Sequence, residues 1–169
     1  MDFASPAEER IIMVDTHDTV IGELSRGEMR TFGGIYRVTY ILIFNSQGDL
    51  LVQRRTSTKD QYPGLLDLAA GGVVASGEGY RESACRELKE ELGVDAPLTH
   101  HGNVYFEDMN FFPENQNWGG VFSCICDGPF VLQTEEVADV KFMKIESILT
   151  MGAKEITPDT RQVLVSYLL

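Results

Sequence analysis

Gly72-Val-Val-Ala-Ser-Gly-Glu78-Gly-Tyr-Arg-Glu-Ser-Ala-Cys-Arg86-Glu87-Leu88-Lys-Glu90-Glu91-Leu-Gly93-Val94 is the stretch around which the chain is organised. A glycine-containing loop runs into an acidic helix expected from about Gly79 to Leu92, with Gly93 as its stop. At about 100° per residue, Glu87, Glu90 and Glu91 fall within an arc of about 100° on one helix face. Ala84, Leu88 and Leu92, spaced i, i+4, i+8, form an apolar stripe beside it. The glutamates should therefore lie exposed while the stripe is buried. Like charges this close repel by about 0.2–0.5 kcal/mol per i,i+4 pair, and a hard divalent cation held by carboxylate oxygens would relieve that repulsion. A generic E-x-x-E-E is more often a solvated helix face, so the wider spacing has to decide.

That spacing is G-x5-E-x7-R-E-U-x-E-E-x-G-U, with U aliphatic. Gly72, Glu78, Arg86, Glu87, Leu88, Glu90, Glu91, Gly93 and Val94 fill every fixed position. The pattern resembles the signature of the Nudix hydrolases, and it is far more specific than a lone glycine-rich loop. The resemblance implies hydrolysis of a diphosphate linkage in a nucleoside diphosphate joined to another moiety, with Mg²⁺ as cofactor and Mn²⁺ as an alternative. Such chemistry attacks a phosphorus crowded by negative oxygens, which metal ions neutralise while positioning the water. On this resemblance Glu87 and Glu91 are the principal metal ligands, Glu90 adds a direct or water-mediated contact, and the Gly72 carbonyl also reaches the metal. Arg86 orients the glutamates. Glu78 either favours the free N–H groups at the helix start or supports the metal site. The general base is left among Glu90, Glu91 and the later Glu135 and Glu136, with Glu107 and Asp108 as a second pair. Arg54 and Arg55 end a strand ahead of the box. Alternation points only one of them inward, where it could hold a phosphate bidentately.

The 169 residues suffice for one domain with a sizeable core, expected over residues 10–169 behind a loose tail of residues 1–9. A net charge of −12 argues against nucleic acid as a bulk partner, but not against a small phosphorylated substrate, because a bound metal inverts the local field. Cys85, Cys124 and Cys126 lack metal-ligand spacing and read as reduced, partly buried thiols. No basic region followed by an apolar run opens the chain, and no segment is apolar over the 18 or so residues of a membrane helix. A cytoplasmic protein is the expectation.

In chain order, Ile11–Val14 and Val20–Leu24 read as a hairpin, and Ser25 as the cap of a short helix over Arg26–Thr31 that Gly27 weakens. Val38–Phe44 reads as a central strand, Leu50–Arg55 as its return, and Leu65–Val74 as an extended approach to the box. Val104–Phe106, Trp118–Cys126, Phe130–Leu132 and Val137–Met143 are strand candidates, with a loop over Glu107–Asn117. Ile145–Met151 and Pro158–Leu168 read as helices. The sum is an α/β chain, a mixed β-sheet in an α/β/α sandwich, which is also the Nudix fold.

A second resemblance runs from about Ile11 to Val94. The hairpin, Tyr40–Asn45, Gln53–Arg55 and Tyr62-Pro-Gly64 are similar to isopentenyl-diphosphate isomerases, and the whole chain is most similar to the YfcD-like Nudix branch. The isomerases use a cysteine shortly after the Pro-Gly and a histidine-rich metal site. Placed without gaps, Gly71 stands where that cysteine is expected and Val73 where a histidine is expected. His17, His100 and His101 read as turn or loop residues, and the R-E-L-K-E-E run that the isomerases have degraded is intact. Isomerase chemistry is disfavoured. A Nudix-fold module that binds a nucleotide without cleaving it would be marked by lost carboxylates, and none is lost. Tyr105, Phe111, Phe112 and Trp118 could stack on a base, though strand and loop aromatics are more often core. The substrate and the oligomeric state, a homodimer included, stay open.

Overall fold

The computed structural model describes residues 6–169. Its axis is a parallel pair: β3 (Ile35–Phe44) runs beside β7 (Asn115–Ile125) along its whole length, from Ile35↔Gln116 to Phe44↔Ile125. Alternation along β3 divides the interior in two. Tyr36, Val38, Tyr40 and Leu42 join the core that holds Ile148, Val163 and Leu164, from α3 (Ile145–Leu149) and α4 (Pro158–Leu168). Ile41 and Ile43 face the opposite way, onto Ala84, Leu88 and Leu92 of α2 (Tyr80–Leu92). Helices thus cover both faces of one mixed sheet, the α/β/α sandwich expected from the element order. Burying Leu88 and Leu92 contributes about 1.5–3 kcal/mol each.

The other flank of β3 is shared, and this sharing positions the site. β1 (Arg10–Val14) pairs at Met13↔Tyr36 and forms the expected hairpin with β2 (Val20–Ser25). Next to it the segment before the box is pinned to β3: Thr39 donates to the Gly72 carbonyl at 2.9 Å and Ile41 to Ala70 at 2.7 Å. At the end of β3, Phe44↔Leu50 turns the chain into β4 (Leu50–Arg55), which carries β5 (Leu66–Asp67) and β8 (Val137–Met143) in its own antiparallel ladder. Between β2 and β3, α1 (Arg26–Phe32) begins with a capping box in which Ser25 and Glu28 satisfy each other's backbone N–H.

Several boundaries differ from the sequence reading. β6 spans Thr99–Asp108 and pairs with β7 as far as Asp108↔Asn115, so the expected loop over 107–117 shrinks to residues 109–114. Most of β6 is exposed on both faces, so its register is set by the ladder and no hydrophobic period announces it. His100 and His101 consequently sit in a strand rather than a loop, His100 stacked on Phe122 at 4.7 Å. Phe130–Leu132 is not a strand. Its backbone caps α2 instead, Val131 donating to the Leu92 carbonyl and Gln133 to Glu91, both at 2.9 Å. Cys85 is exposed, unlike Cys124 and Cys126. Of the expected loose tail, residues 1–5 lie outside the described residues, whereas the Ala7 and Glu9 carbonyls accept from Gly27 and Arg26. No helix among the described residues is long and apolar enough to cross a membrane.

Candidate active site

α2 ends at Gly93, whose left-handed backbone (φ 66°) lets its N–H return to the last turn. Near the other end of the box, Glu78 and Arg86 lock the loop to the helix. Arg86 Nε donates to Glu78 Oε1 at 2.6 Å and Nη2 to Glu78 Oε2 at 3.0 Å, a bidentate pair. Its Nη1 reaches Glu87 Oε1 at 2.9 Å and Glu90 Oε2 at 3.1 Å. The Arg86 guanidinium holds the Glu78 carboxyl below its usual range, and Glu78 in turn holds the proton on Arg86. Arg86→Ala should therefore lower the melting temperature, by about 1–3 kcal/mol of stability, since it leaves Glu78 and a mostly buried Glu87 uncompensated. Arg86→Lys should recover only part, because an ammonium cannot make the bidentate pair. Equal melting temperatures for all three proteins would show the lock to be dispensable.

The two principal metal-ligand candidates, Glu87 and Glu91, are not on an exposed face. Glu87 is only 12% exposed at its side chain, and Glu91 is turned inward; Glu90, at 51%, is the exposed member. The cause is tertiary: the extended segment pinned to β3 lies across the face of the helix that carries them. Glu91 Oε2 accepts from the Gly71 N–H at 3.3 Å. A Cβ on Gly72 would stand 2.5 Å from Glu87 Oε1, so this carboxylate occupies the space a side chain would take. Burial, then the Glu87 charge, push the Glu91 carboxyl up to about 8. Burial also raises Glu87, against the pull of Arg86.

Among the described residues, no three His, Cys, Asp or Glu side chains are already gathered as a metal cage. The donor set nevertheless fits a hard divalent cation. Two carboxylates one turn apart are charged at a cost set by burial and by each other, and a cation offsets both. The Gly72 carbonyl beside them accepts from the Thr39 N–H at 2.9 Å and, at a long 3.5 Å, from the Thr39 hydroxyl, the weaker of the two and the one an ion would displace. Mg²⁺ binds through one or two carboxylates plus water and phosphate oxygens, so a complete protein cage is not required.

Next to this helix lies a cleft of about 330 Å³ that reaches Gly71 and Gly72 and is lined by four cations, Arg26, Arg30, Arg55 and Lys59. A smaller cavity of about 40 Å³ holds Glu91 and shares Arg55, Lys59 and Glu136 with the cleft. Arg55 is the inward arginine of its pair: Nη1 meets Asp67 Oδ2 at 2.8 Å, and Nε and Nη2 hold the Gln61 carbonyl. Arg54 points outward, to the Gly64 carbonyl and toward Asp139, and lines only the smaller cavity. Glu135 and Glu136 both line the cleft, where Glu136 is ion-paired with Lys59. Glu107 and Asp108 are not in its lining and accept instead from Tyr105 and Tyr62. Nor do the four aromatics considered for base stacking line it. Trp118 packs with Ile12, Val14 and Val74, Phe111 packs edge-on to Tyr62, Tyr105 tilts against Trp118, and Phe112 is exposed.

Arg26 and Arg30 carried no signal in the sequence beyond following a helix cap. Their place at the cleft depends on how the β1–β2 hairpin delivers α1. Asn115 and Asn117 lay in what reads as a polar loop, and they become lining residues because β7 begins there.

Comparison with known proteins places this arrangement. The NUDIX domain family model matches residues 35–165. Nudix hydrolase PA4841 of Pseudomonas aeruginosa, described as uncharacterized, is 46% identical over 167 residues, 98% of this chain and 96% of its own. YfcD of Escherichia coli K12, described likewise, is 45% identical over 157 residues, 92% of this chain and 84% of its own. The crystal structure of DR0079 from Deinococcus radiodurans has the same fold, with a TM-score of 0.78 at 24% identity over 94% of this chain and 98% of that one. With the box unbroken and its carboxylates drawn against Gly71 and Gly72, the chain belongs to the Nudix hydrolase family.

Proposed function

We propose that the protein uses a divalent metal, Mg²⁺ first and Mn²⁺ as an alternative, to hydrolyse the diphosphate bridge of a nucleoside diphosphate linked to another moiety. The observation that carries this reading is the pair Glu87 and Glu91, drawn inward beside a cleft with four cationic side chains. Water adds to one phosphorus, the bridging P–O bond breaks, and each fragment leaves with a phosphate. The metal, when bound, neutralises phosphate oxygens and acidifies the attacking water.

The chain's own residues do the rest. Glu87 and Glu91, with the Gly72 carbonyl, would hold the ion, and Arg86 fixes the orientation of Glu87 and Glu90. Arg55, placed inward, and Lys59 offer donors to phosphate oxygens. Of the two loop carboxylates Glu135 is the better placed to take the water's proton, since Glu136 is held by Lys59. The net charge of −12 fits a small-molecule substrate better than a nucleic acid.

The isomerase reading meets a physical obstacle. A Cβ on Gly71 would stand 2.0 Å from the Thr39 carbonyl oxygen, so no cysteine fits where that chemistry expects one. Incubating the protein with nucleoside diphosphate derivatives, dinucleoside polyphosphates and prenyl diphosphates, with Mg²⁺ or Mn²⁺ and then with a chelator, tests the reading. Metal-dependent release of a phosphorylated fragment from a nucleoside compound is expected. Cleavage of none of them would sink the hydrolase reading, and interconversion of prenyl diphosphates would restore the isomerase.

A further inference from the structure

Each of the four cations along the cleft faces a carboxylate: Arg26 meets Glu9, Arg30 meets Asp60, Lys59 meets Glu136 and Arg55 meets Asp67. The four pairs are not alike. Glu9, Asp60 and Glu136 are 30%, 61% and 35% exposed at their side chains, and pairs this open are weak and readily exchanged for a phosphate. Asp67, at 15%, lies mostly buried against an Arg55 that is itself 19% exposed. Desolvation offsets much of the attraction in such a pair, so stability alone does not account for it. The Arg55 guanidinium is also held from a second side, Nε and Nη2 meeting the Gln61 carbonyl at 3.1 and 2.9 Å. Of its five N–H donors three are thus engaged, the third from Nη1 to Asp67. One on Nη1 and one on Nη2 remain.

Asp67 is held in turn by the last helix. Its strand β5 is tied to the start of α4 on both sides of the residue. Leu66 donates to the Glu155 carbonyl and accepts from the Thr157 N–H, both at 2.9 Å, and the Leu68 N–H donates to Thr160 Oγ1 at 3.1 Å. Thr157 is the N-cap of α4, where a threonine hydroxyl ordinarily accepts from the first turn of its own helix. It makes no such cap. The buried Thr157 hydroxyl instead donates to Asp67 Oδ1 at 2.7 Å, and it stands against Thr160 Oγ1 at 2.5 Å and the Asp159 carboxyl. The helix forgoes a stabilising cap and spends the hydroxyl where it fixes Asp67. A chain Thr157–Asp67–Arg55 thus leads from the start of the last helix to an arginine that lines both the cleft and the smaller cavity of Glu91.

We propose that Asp67 is a positioning residue: through the chain Thr157–Asp67–Arg55 it holds the Arg55 guanidinium so that its two remaining N–H groups meet non-bridging oxygens of a substrate phosphate next to Glu91. This rests on the diphosphate-hydrolase reading and adds how the cleft presents its cation, preset rather than recruited. An arginine fixed beforehand gives up little side-chain freedom when the phosphate arrives. The sign of the effect separates positioning from plain electrostatics. Asp67 is an anion beside a site for anions, so if it acted by charge alone its removal would tighten phosphate binding. If it positions Arg55, its removal weakens binding despite the positive charge gained.

The test is calorimetric binding, with Mg²⁺, of methylene diphosphonate, a diphosphate analogue whose bridge resists hydrolysis. Asp67→Ala should weaken binding about 3- to 10-fold, the scale of immobilising one long side chain. Asp67→Asn should weaken it less, because its carbonyl oxygen still accepts from Arg55 while its amide donates to Thr157. Thr157→Val, which removes the anchor without changing any charge, should weaken it too. In an Arg55→Met background Asp67→Ala should no longer weaken binding, since Asp67 acts through Arg55. The wild-type protein supplies one arm without a variant of Asp67: the Arg55 Nε–H resonance, identified by its loss in Arg55→Met, should report an ordered side chain before any ligand is added. Equal or tighter binding by a folded Asp67→Ala or Asp67→Asn protein overturns the proposal. So do an equal loss in the Arg55→Met background, no binding by the wild-type protein, and a freely moving Arg55 side chain. Where Asp67→Ala does not fold, Asp67→Asn and Thr157→Val carry the comparison. Binding that follows this pattern without hydrolysis of any nucleoside diphosphate derivative would instead strike the hydrolase reading and leave the positioning role standing.

Discussion

Replacing Glu91 with Gln should lower metal-dependent hydrolysis about 10²- to 10³-fold, corresponding to the loss of several kcal/mol of charge stabilisation at the phosphoryl group, without lowering the melting temperature. The two halves of this result have one cause. Glu91 is turned inward beside Glu87, and its carboxyl is pushed up to about 8 from an ordinary 4.5 by burial and by that neighbour. The folded protein without metal therefore holds this proton more tightly than the unfolded chain does. The sign follows: the stability of the metal-free protein falls as pH rises from about 4.5 through about 8, and below that window nothing is lost. A glutamine carries no such charge, so the variant should melt at or above the wild-type temperature at the alkaline end, with the two converging in acid. Adding Mg²⁺ should stabilise the wild type and not the variant. Melts across pH with a chelator, paired with activity assays, check all of this. Full activity in Glu91→Gln would remove Glu91 from the metal site. Glu87→Gln should lose comparable activity and also some stability, because Glu87 is an Arg86 partner as well as a ligand candidate.

Gly71→Ala should be the most destabilising single methyl addition near the site, by about 2–5 kcal/mol. The new Cβ would meet the Thr39 carbonyl oxygen at 2.0 Å and its carbon at 2.7 Å, both backbone atoms of the central strand. Neither can swing aside as the end of a flexible side chain would. The position also has φ +139°, which L side chains rarely adopt, and strain of that kind and forced repacking each cost about 1–3 kcal/mol. Because the Gly71 N–H is a partner of Glu91, backbone movement that relieves the clash shifts the carboxylate too. Denaturant titration should show a lower midpoint with an unchanged slope, and hydrolysis should fall even where the variant is fully folded. A wild-type midpoint would mean that this segment is not pinned to β3 as described. Gly48, where a Cβ meets nothing within 4 Å although φ is also positive, is the control: Gly48→Ala should carry only the backbone strain.

Much of the fold was legible because it rests on local periods. The bounds expected for Val137–Met143 and Pro158–Leu168 are the bounds observed, the helix opening on a proline at its first position. Phe130–Leu132 departs from the expected strand because an apolar triplet looks the same whether its backbone pairs in a sheet or caps a helix. Only the position of α2 decides between them. β6 was underestimated for the complementary reason: an exposed strand held by its ladder needs no hydrophobic period.

At the site the division is sharper. The spacing of the box alone determined which carboxylates are grouped, since helical geometry puts Glu87, Glu90 and Glu91 on one side whatever surrounds them. It could not determine that two of the three turn inward and one outward, nor which arginine of Arg54 and Arg55 enters the cleft. Those depend on the strand-like segment at Ala70–Gly72 docking on β3 and on the β4–β5–β8 ladder, contacts between residues far apart in the chain. The grouping of the carboxylates is local because one helix carries all three. The shape and polarity of the cleft, with Asp159 brought against Tyr40 from the last helix, are tertiary, because α1, β3, β4, β5, β7 and α4 have to meet before it exists.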